Sequence, residues 1–256
     1  RIESPSYIAI FILLFFYLFN LNTSFSTGVD FATQLKAAEQ WNDGLTDKWN
    51  HLIHTDLSLN HSDTEVWLFR PPGAFLYYLL FLQFPFPLGE SLRIAQLILC
   101  IIICISWLEI AKILSFEKNL QILLVLILAL WVANDLSYSG NVQLLVTAYS
   151  SLFSFLALRF AQSVRSLEFI HLKNILWFIS LSLCLGAVVF LKASAVIYNC
   201  AIFISIFVLL YFRKFKKANL SCIFVTTLVF FCIPYFILNI INTAHGVDLD
   251  NVYKQD

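Results

Sequence analysis

Long runs of apolar residues set the strongest limit on how this chain can fold. A bilayer core ~30 Å thick needs ~20 mainly apolar helical residues for each crossing. Polar and apolar residues do not alternate within these runs, which favours helices over the strands of a membrane barrel. The runs cover residues 7–21, 71–88, 92–110, 119–134, 141–160, 174–191, 195–212 and 219–241. The sequence therefore predicts an all-α polytopic membrane protein.

The composition points to lipid as the main environment. Hydrophobic residues make up 60% of the 256 positions and charged residues 12%, more apolar surface than the core of a soluble domain needs. The 16 basic and 16 acidic residues cancel, so no overall field attracts nucleic acid. All six cysteines lie inside apolar runs, which predicts neither a disulfide framework nor a cysteine metal site.

Proline residues make the run at 71–88 different from the others. It opens with Pro71 and Pro72 and is interrupted by Pro85 and Pro87, so its unbroken apolar part is too short for a crossing. We therefore expect about seven transmembrane helices plus one re-entrant or juxtamembrane helix.

Lysine and arginine residues predict the orientation, because they accumulate in cytoplasmic loops. Arg213, Lys214, Lys216 and Lys217 place the connector after residue 212 on the inside. Residues 22–70 carry mainly acidic charges and form the first extracytoplasmic loop in this arrangement. With the run at 71–88 not crossing, one outer face gathers the following charged residues: Asp30, Arg70, Asp135, Lys192 and Asp248.

Asp30 follows the first apolar run and precedes Phe31, Leu35, Ala38 and Trp41, which have helical spacing. This pattern predicts an amphipathic helix on the membrane surface. Asp30 then has two readings: a carboxylate stabilised by the start of the helix, or a general base held at the bilayer surface.

Two basic residues at the predicted outer face are candidates for binding an anion. Arg70 directly precedes Pro71 and Pro72, and its planar guanidinium suits a phosphate; the alternative is snorkelling of the side chain to the membrane surface. Lys192 interrupts a long apolar stretch and has no adjacent acid, which favours an anion-binding role.

Asp135 lies in a polar stretch, 134–141, that the sequence predicts to be a turn between two apolar helices. Turns take Asn, Asp and Gly for backbone reasons alone. Asn141 and Gln143 continue the polarity into the next helix, which favours a polar pocket.

Histidine and aspartate residues in the first loop leave a divalent metal open, while no other cofactor is indicated. Their spacing lacks the regularity of strong metal sites, so a solvated loop is the competing interpretation. These residues are His51, His54, Asp56, His61 and Asp63.

The order of these features resembles the GT-C glycosyltransferases, which use polyprenyl-phosphate sugars and include the protein mannosyltransferases and the aminoarabinose transferases of lipid A. The resemblance rests on Asp30 after the first span, the long outer loop, Arg70-Pro71-Pro72, Asp135 and Lys192. It covers nearly the whole chain, as one module over residues 1–256 that we expect to be truncated at its C-terminus. The segment around Asp135 lacks the Arg-Pro-Asp form of some relatives, so the subfamily stays open.

The resemblance implies an enzyme of the plasma membrane, inner membrane or endoplasmic reticulum, with its active site on the extracytoplasmic face. Asp30 would be the catalytic base and Asp135 a second active-site carboxylate, while Arg70 and Lys192 would bind the donor phosphate. The donor would be a polyprenyl-phosphate sugar and the acceptor a hydroxyl on a glycan, a lipid or a protein, with inversion at the sugar.

Three other classes of membrane protein share this composition. A transporter or flippase would show internal repeats and ionisable residues near the midplane, whereas the charges here gather towards one face. An envelope polymerase or ligase would carry a long late outer loop. A membrane scaffold leaves the positions of Arg70 and Lys192 unexplained.

Overall fold

The computed structural model describes residues 7, 10–14, 29–45, 51–54, 64–67, 72–138, 142–163, 172–212 and 217–244. Helices account for nearly all of this part of the chain, and residues 10–14 are also helical. The longer helices are α1 (Val29–Asn42), α2 (Pro72–Leu82), α3 (Leu88–Ile113), α4 (Lys118–Tyr138), α5 (Val142–Ser163), α6 (Leu172–Gly186), α7 (Val196–Phe212) and α8 (Lys217–Ala244). The predicted helical architecture is thereby confirmed.

One short antiparallel pair of strands lies in the first loop and was not predicted from the sequence. Strand β1 (His51–His54) pairs with β2 (Thr64–Trp67), with His51 opposite Trp67 and His54 opposite Thr64. Each strand has only four residues, too few for a periodic pattern to show in the sequence.

Among the described residues, three helical segments are long and apolar enough to cross a membrane: Gly89–Ile113, Val142–Gln162 and Phe224–Ile241. Shorter apolar segments cover Gly73–Leu82, Lys118–Trp131, Ile175–Phe190 and Val196–Leu209. These lengths support a membrane protein, while the count of seven crossings stays a prediction.

Apolar side chains on the outer surface of the helices support the same conclusion. On α4, Leu123, Ile127 and Leu130 are exposed at helical spacing, and on α8 Val229, Phe236 and Ile240 are exposed. Exposing apolar stripes of this length to water is unfavourable, so these side chains are expected to face lipid.

Helix α2 is short, as its prolines predict. Its 11 residues rise ~16 Å, about half of a bilayer core ~30 Å thick. By length, α2 therefore fits the predicted re-entrant or juxtamembrane helix.

The chain divides into two compact units, Arg1–Ser151 and Leu152–Asp256. In the first unit α1 packs on α2, and α3 packs on α4. In the second unit α6 packs on α8, around a core in which aromatic rings predominate. The rings of this core include Phe160, Phe178, Phe203, Phe207 and Phe231.

Candidate functional site

The predicted site residues differ in how far the structure describes them. Asp30 and Asp135 have described backbones, and Lys192 has a described side chain. Arg70 and Asp248 lie outside the described residues. Asp30 and Asp135 belong to the first unit and Lys192 to the second, so the gathering of these residues at one membrane face stays a prediction.

Asp30 lies in the first turn of α1, which begins at Val29. The predicted helix after the first apolar run is therefore confirmed, while its position on the membrane surface stays a prediction. Free backbone N–H groups and the positive end of the helix dipole stabilise a carboxylate at this position.

Contacts with α2 hold the other end of α1. The rings of Trp41 and Phe75 meet edge to face with their centroids 5.6 Å apart. Gln83 donates a hydrogen bond of 2.8 Å from Nε2 to Oδ1 of Asn42. Leu35 and Ala38 are buried, as their spacing predicts. Helix α1 therefore packs on another helix of the protein.

The turn after α1 gives the helix a defined end. Gly44 has a φ of +70°, a left-handed conformation that glycine adopts without strain. The N–H of Leu45 donates to the carbonyl oxygen of Gln40 at 2.9 Å, and the N–H of Gly44 donates to that of Trp41 at 3.1 Å. These two bonds form a Schellman motif. This motif fixes the C-terminal end of α1, where the helix packs on α2.

A phenol hydroxyl joins α2 to α3. Tyr77 donates a hydrogen bond of 2.7 Å to the carbonyl oxygen of Ala95. Burial, followed by the neighbouring Tyr78, raises the pKa of Tyr77 above its usual range, so the phenol stays protonated and remains a donor. This bond fixes the short helix that follows Arg70.

The predicted turn at Asp135 is wrong. Helix α4 continues to Tyr138, so Asn134 and Asp135 lie within its last turns. The intrinsic cost of Asn or Asp in a helix is below ~1 kcal/mol per residue, and an established helix pays only this cost to continue. The stronger stop signal in the sequence is Gly140.

Lys192 lies in a compact turn between α6 and α7, where its side chain is partly buried. Two 3-10 helices, Ala187–Phe190 and Ala193–Ala195, flank it. Its N–H donates to the carbonyl oxygen of Val188 at 3.0 Å, and its own carbonyl oxygen accepts from the N–H of Ala195 at 3.0 Å. Hydrogen bonds therefore hold the Lys192 backbone through both its N–H group and its carbonyl oxygen.

Two buried contacts within the second unit hold this turn in place. Asn199, which is fully buried, donates from Nδ2 to the carbonyl oxygen of Leu185 at 2.9 Å. Gly186 approaches the backbone of Phe231 so closely that a Cβ at this position would lie 2.0 Å from the carbonyl oxygen. Only glycine allows α6 to approach α8 this closely.

The metal hypothesis concerns residues that the structure describes only in part. His51 and His54 contribute their backbones to β1, and Asp56, His61 and Asp63 lie outside the described residues. Among the described residues, no group of three or more His, Cys, Asp or Glu residues could hold a metal ion.

Sequence reasoning missed Gln96, a buried polar residue on α3 whose exposed fraction is 4%. Neither Nε2 nor Oε1 of this side chain has a hydrogen-bond partner among the described residues. The available signal was a single carboxamide inside the apolar run 92–110.

The apolar helices define a helical membrane protein, and Asp30, Asp135 and Lys192 each lie near a helix end or in a turn. No protein-family model matches the chain, and neither a curated protein nor a solved structure matches it.

Proposed function

We propose that this protein is an integral-membrane glycosyltransferase of the GT-C type, with about seven transmembrane helices and its active site on the extracytoplasmic face. It transfers a sugar from a polyprenyl phosphate to an acceptor hydroxyl. The observation that carries the proposal is the position of Asp30 in the first turn of α1, a helix with a defined end that is packed on α2.

Asp30 acts as the general base in this mechanism. Its carboxylate accepts the proton of the acceptor hydroxyl while the hydroxyl oxygen attacks the anomeric carbon. The bond between that carbon and the phosphate oxygen of the carrier breaks, and polyprenyl phosphate leaves with the bonding electrons. A single displacement of this kind inverts the configuration at the sugar.

Cations stabilise the charge that develops on the leaving phosphate. Lys192 supports this role because its backbone is fixed in a partly buried turn between apolar helices. Arg70 precedes the helix that Tyr77 fastens to α3. Asp135, in the last turn of α4, is the second carboxylate of the site and orients the sugar or the acceptor.

Exposed apolar residues provide a surface for the carrier chain. On α2, Leu76 and Leu80 are both exposed and lie one helical turn apart, and Phe84 and Phe86 follow them. A polyprenyl chain is apolar and lies in the bilayer, so it can cover this surface without desolvating polar groups.

A second candidate is a transporter or flippase, and one observation favours it. The chain between α6 and α7 is broken into two 3-10 helices, and discontinuous helices of this kind form the substrate sites of many transporters. The glycosyltransferase proposal accounts for Asp30 and Arg70 as well, which the transporter proposal does not.

The two candidates differ in whether a covalent product forms. Membranes that carry the protein are incubated with radiolabelled polyprenyl-phosphate mannose, glucose or aminoarabinose, and the label on acceptor glycans, lipids and proteins is counted. Membranes without the protein are the control. Protein-dependent transfer from one donor supports the proposal. Movement of a labelled lipid across the bilayer without transfer supports the transporter.

A further inference from the structure

Gln96 is a buried carboxamide whose hydrogen-bonding capacity is unused within the described part of the chain. The residue lies seven positions after Gly89, which begins one of the three membrane-spanning candidates. It is 4% exposed, and both Nε2 and Oε1 lack a partner among the described residues. Buried amides are nearly always hydrogen-bonded, so this side chain requires a partner.

Most neighbouring residues on the same face of α3 are apolar, and the half-buried Arg93 lies one turn before Gln96. Leu92, Leu99 and Ile103 lie about one or two turns from Gln96 and are buried. The nearby carbonyl oxygen of Ala95 already accepts the hydroxyl of Tyr77. The amide therefore interrupts a stripe that packing alone would fill with another apolar side chain.

Gln96 lies as far from the connector between α3 and α4 as Asp135, a residue of the proposed site. Helices α3 and α4 pack on each other and are joined by a short connector. Gln96 lies seventeen residues before the end of α3 at Ile113, and Asp135 lies seventeen residues after the start of α4 at Lys118. Both backbones are thus ~26 Å from the connector along their helices, at the same level.

The chemistry of a carboxamide narrows the class of ligand. An anion would use only the N–H donors of Nε2, and a cation would use only the lone pairs of Oε1. A pair of hydroxyl groups uses both, since one hydroxyl accepts from Nε2 and another donates to Oε1. Sugars carry hydroxyl groups on neighbouring carbons, so they match a carboxamide better than a phosphate does.

We propose that Gln96 binds two hydroxyl groups of the donor sugar at the level of Asp135 and thereby contributes to sugar specificity. This inference rests on the proposed glycosyltransferase function and assigns its sugar subsite to α3. Phosphate recognition is left to Arg70 and Lys192.

Binding measurements on the full chain in detergent test this assignment. The probes are the three polyprenyl-phosphate sugars named above and polyprenyl phosphate alone. We expect Gln96→Met to weaken binding of the preferred sugar donor by tenfold or more and to leave binding of polyprenyl phosphate unchanged. Equal loss for both lipids, or no loss for either, would overturn the assignment of Gln96. A wild-type protein that binds no sugar donor more tightly than polyprenyl phosphate would instead remove the proposed function and this subsite with it.

Thermal unfolding without ligand gives a second, independent readout. Replacing an amide that has no protein partner by an apolar side chain of similar shape removes a desolvation cost, so Gln96→Met should raise Tm. Asn199→Leu is the control, because Nδ2 of that buried amide donates to the carbonyl oxygen of Leu185 while its Oδ1 has no partner among the described residues, and loss of the bond should lower Tm. A lowered Tm for Gln96→Met would show that the amide is bonded within the protein and would overturn the proposal.

Discussion

The side-chain nitrogen of Asn199 lies 2.9 Å from the carbonyl oxygen of Leu185, at the point where α6 gives way to a 3-10 helix. The last carbonyl groups of a helix have no partner within it, and here a fully buried amide from α7 supplies one. The turn that carries Lys192 therefore depends on a hydrogen bond between two apolar helices.

Asn199→Leu should destabilise the protein by ~1–3 kcal/mol, because the carbonyl oxygen of Leu185 would be left buried without its donor. Thermal or denaturant unfolding of the purified protein measures this change. Ser205→Ala on the same helix is a control, since its hydroxyl bonds only within α7 at an exposed position. A loss no larger than that of the control would contradict the role assigned to Asn199.

Gly186→Ala should force α6 away from α8. The new Cβ would lie 2.0 Å from the carbonyl oxygen of Phe231, which is backbone and cannot rotate aside. Overpacking of a core costs ~1–3 kcal/mol, and a clash with backbone belongs at or above the upper end of that range. Gly89→Ala is the control, because a Cβ there meets nothing within 4 Å. Equal stability of the two variants in an unfolding experiment would refute this close approach.

Ser115→Gly should stabilise the protein. Ser115 has a φ of 59°, which is left-handed and costs a residue with a Cβ roughly 1–2 kcal/mol. It occupies the same place after α3 that Gly44 occupies after α1, with the N–H of Phe116 donating to the carbonyl oxygen of Ala111 at 3.0 Å. The larger entropy of glycine in the unfolded chain offsets part of the gain. A rise in Tm is the expected result, and a fall would mean that this strain is absent.

Lys192→Gln should weaken binding of polyprenyl phosphate while leaving the protein folded. A partly exposed side chain in a turn contributes little to the core, whereas the loss of a cation removes attraction for the phosphate. Lys112→Gln is the control, because Lys112 lies in the last turn of α3 and has no role in the proposed phosphate site. Binding of the lipid phosphate by both variants, measured at low and high salt, separates the outcomes. Unchanged binding by Lys192→Gln would exclude this lysine from the phosphate site.

The sequence predicted most helices because their apolar runs are long and are bounded by charge, proline or glycine. The run at 195–212 corresponds to α7 (Val196–Phe212), and the run at 71–88 contains the short helix α2. Asp135 was placed in a turn because Asn and Asp favour turns locally, but the preceding residues of α4 carried the helix past them. Local preference was outweighed by helix propagation.

The finer features of the candidate site could not be predicted in the same way. The break between α6 and α7 depends on Asn199 and on the approach of Gly186 to Phe231, contacts between residues far apart in the chain. Gln96 stands out only once its burial and its missing partners among the described residues are known. The roles of these single residues depend on contacts in the folded protein, which the hydrophobic pattern of an apolar run does not reveal.

The most direct measurement of the central claim is sugar transfer by Asp30→Asn compared with Asp43→Asn at matched expression in membranes. Asp30 lies in the first turn of α1, whereas Asp43 is exposed in the turn just after the end of that helix and has no catalytic role in our account. A general base accelerates a reaction by a factor of roughly 10²–10⁴, so its removal lowers the rate by that factor. We predict a loss of this size for Asp30→Asn and normal transfer for Asp43→Asn. Equal transfer by the two variants would contradict the assignment of Asp30 as the catalytic base.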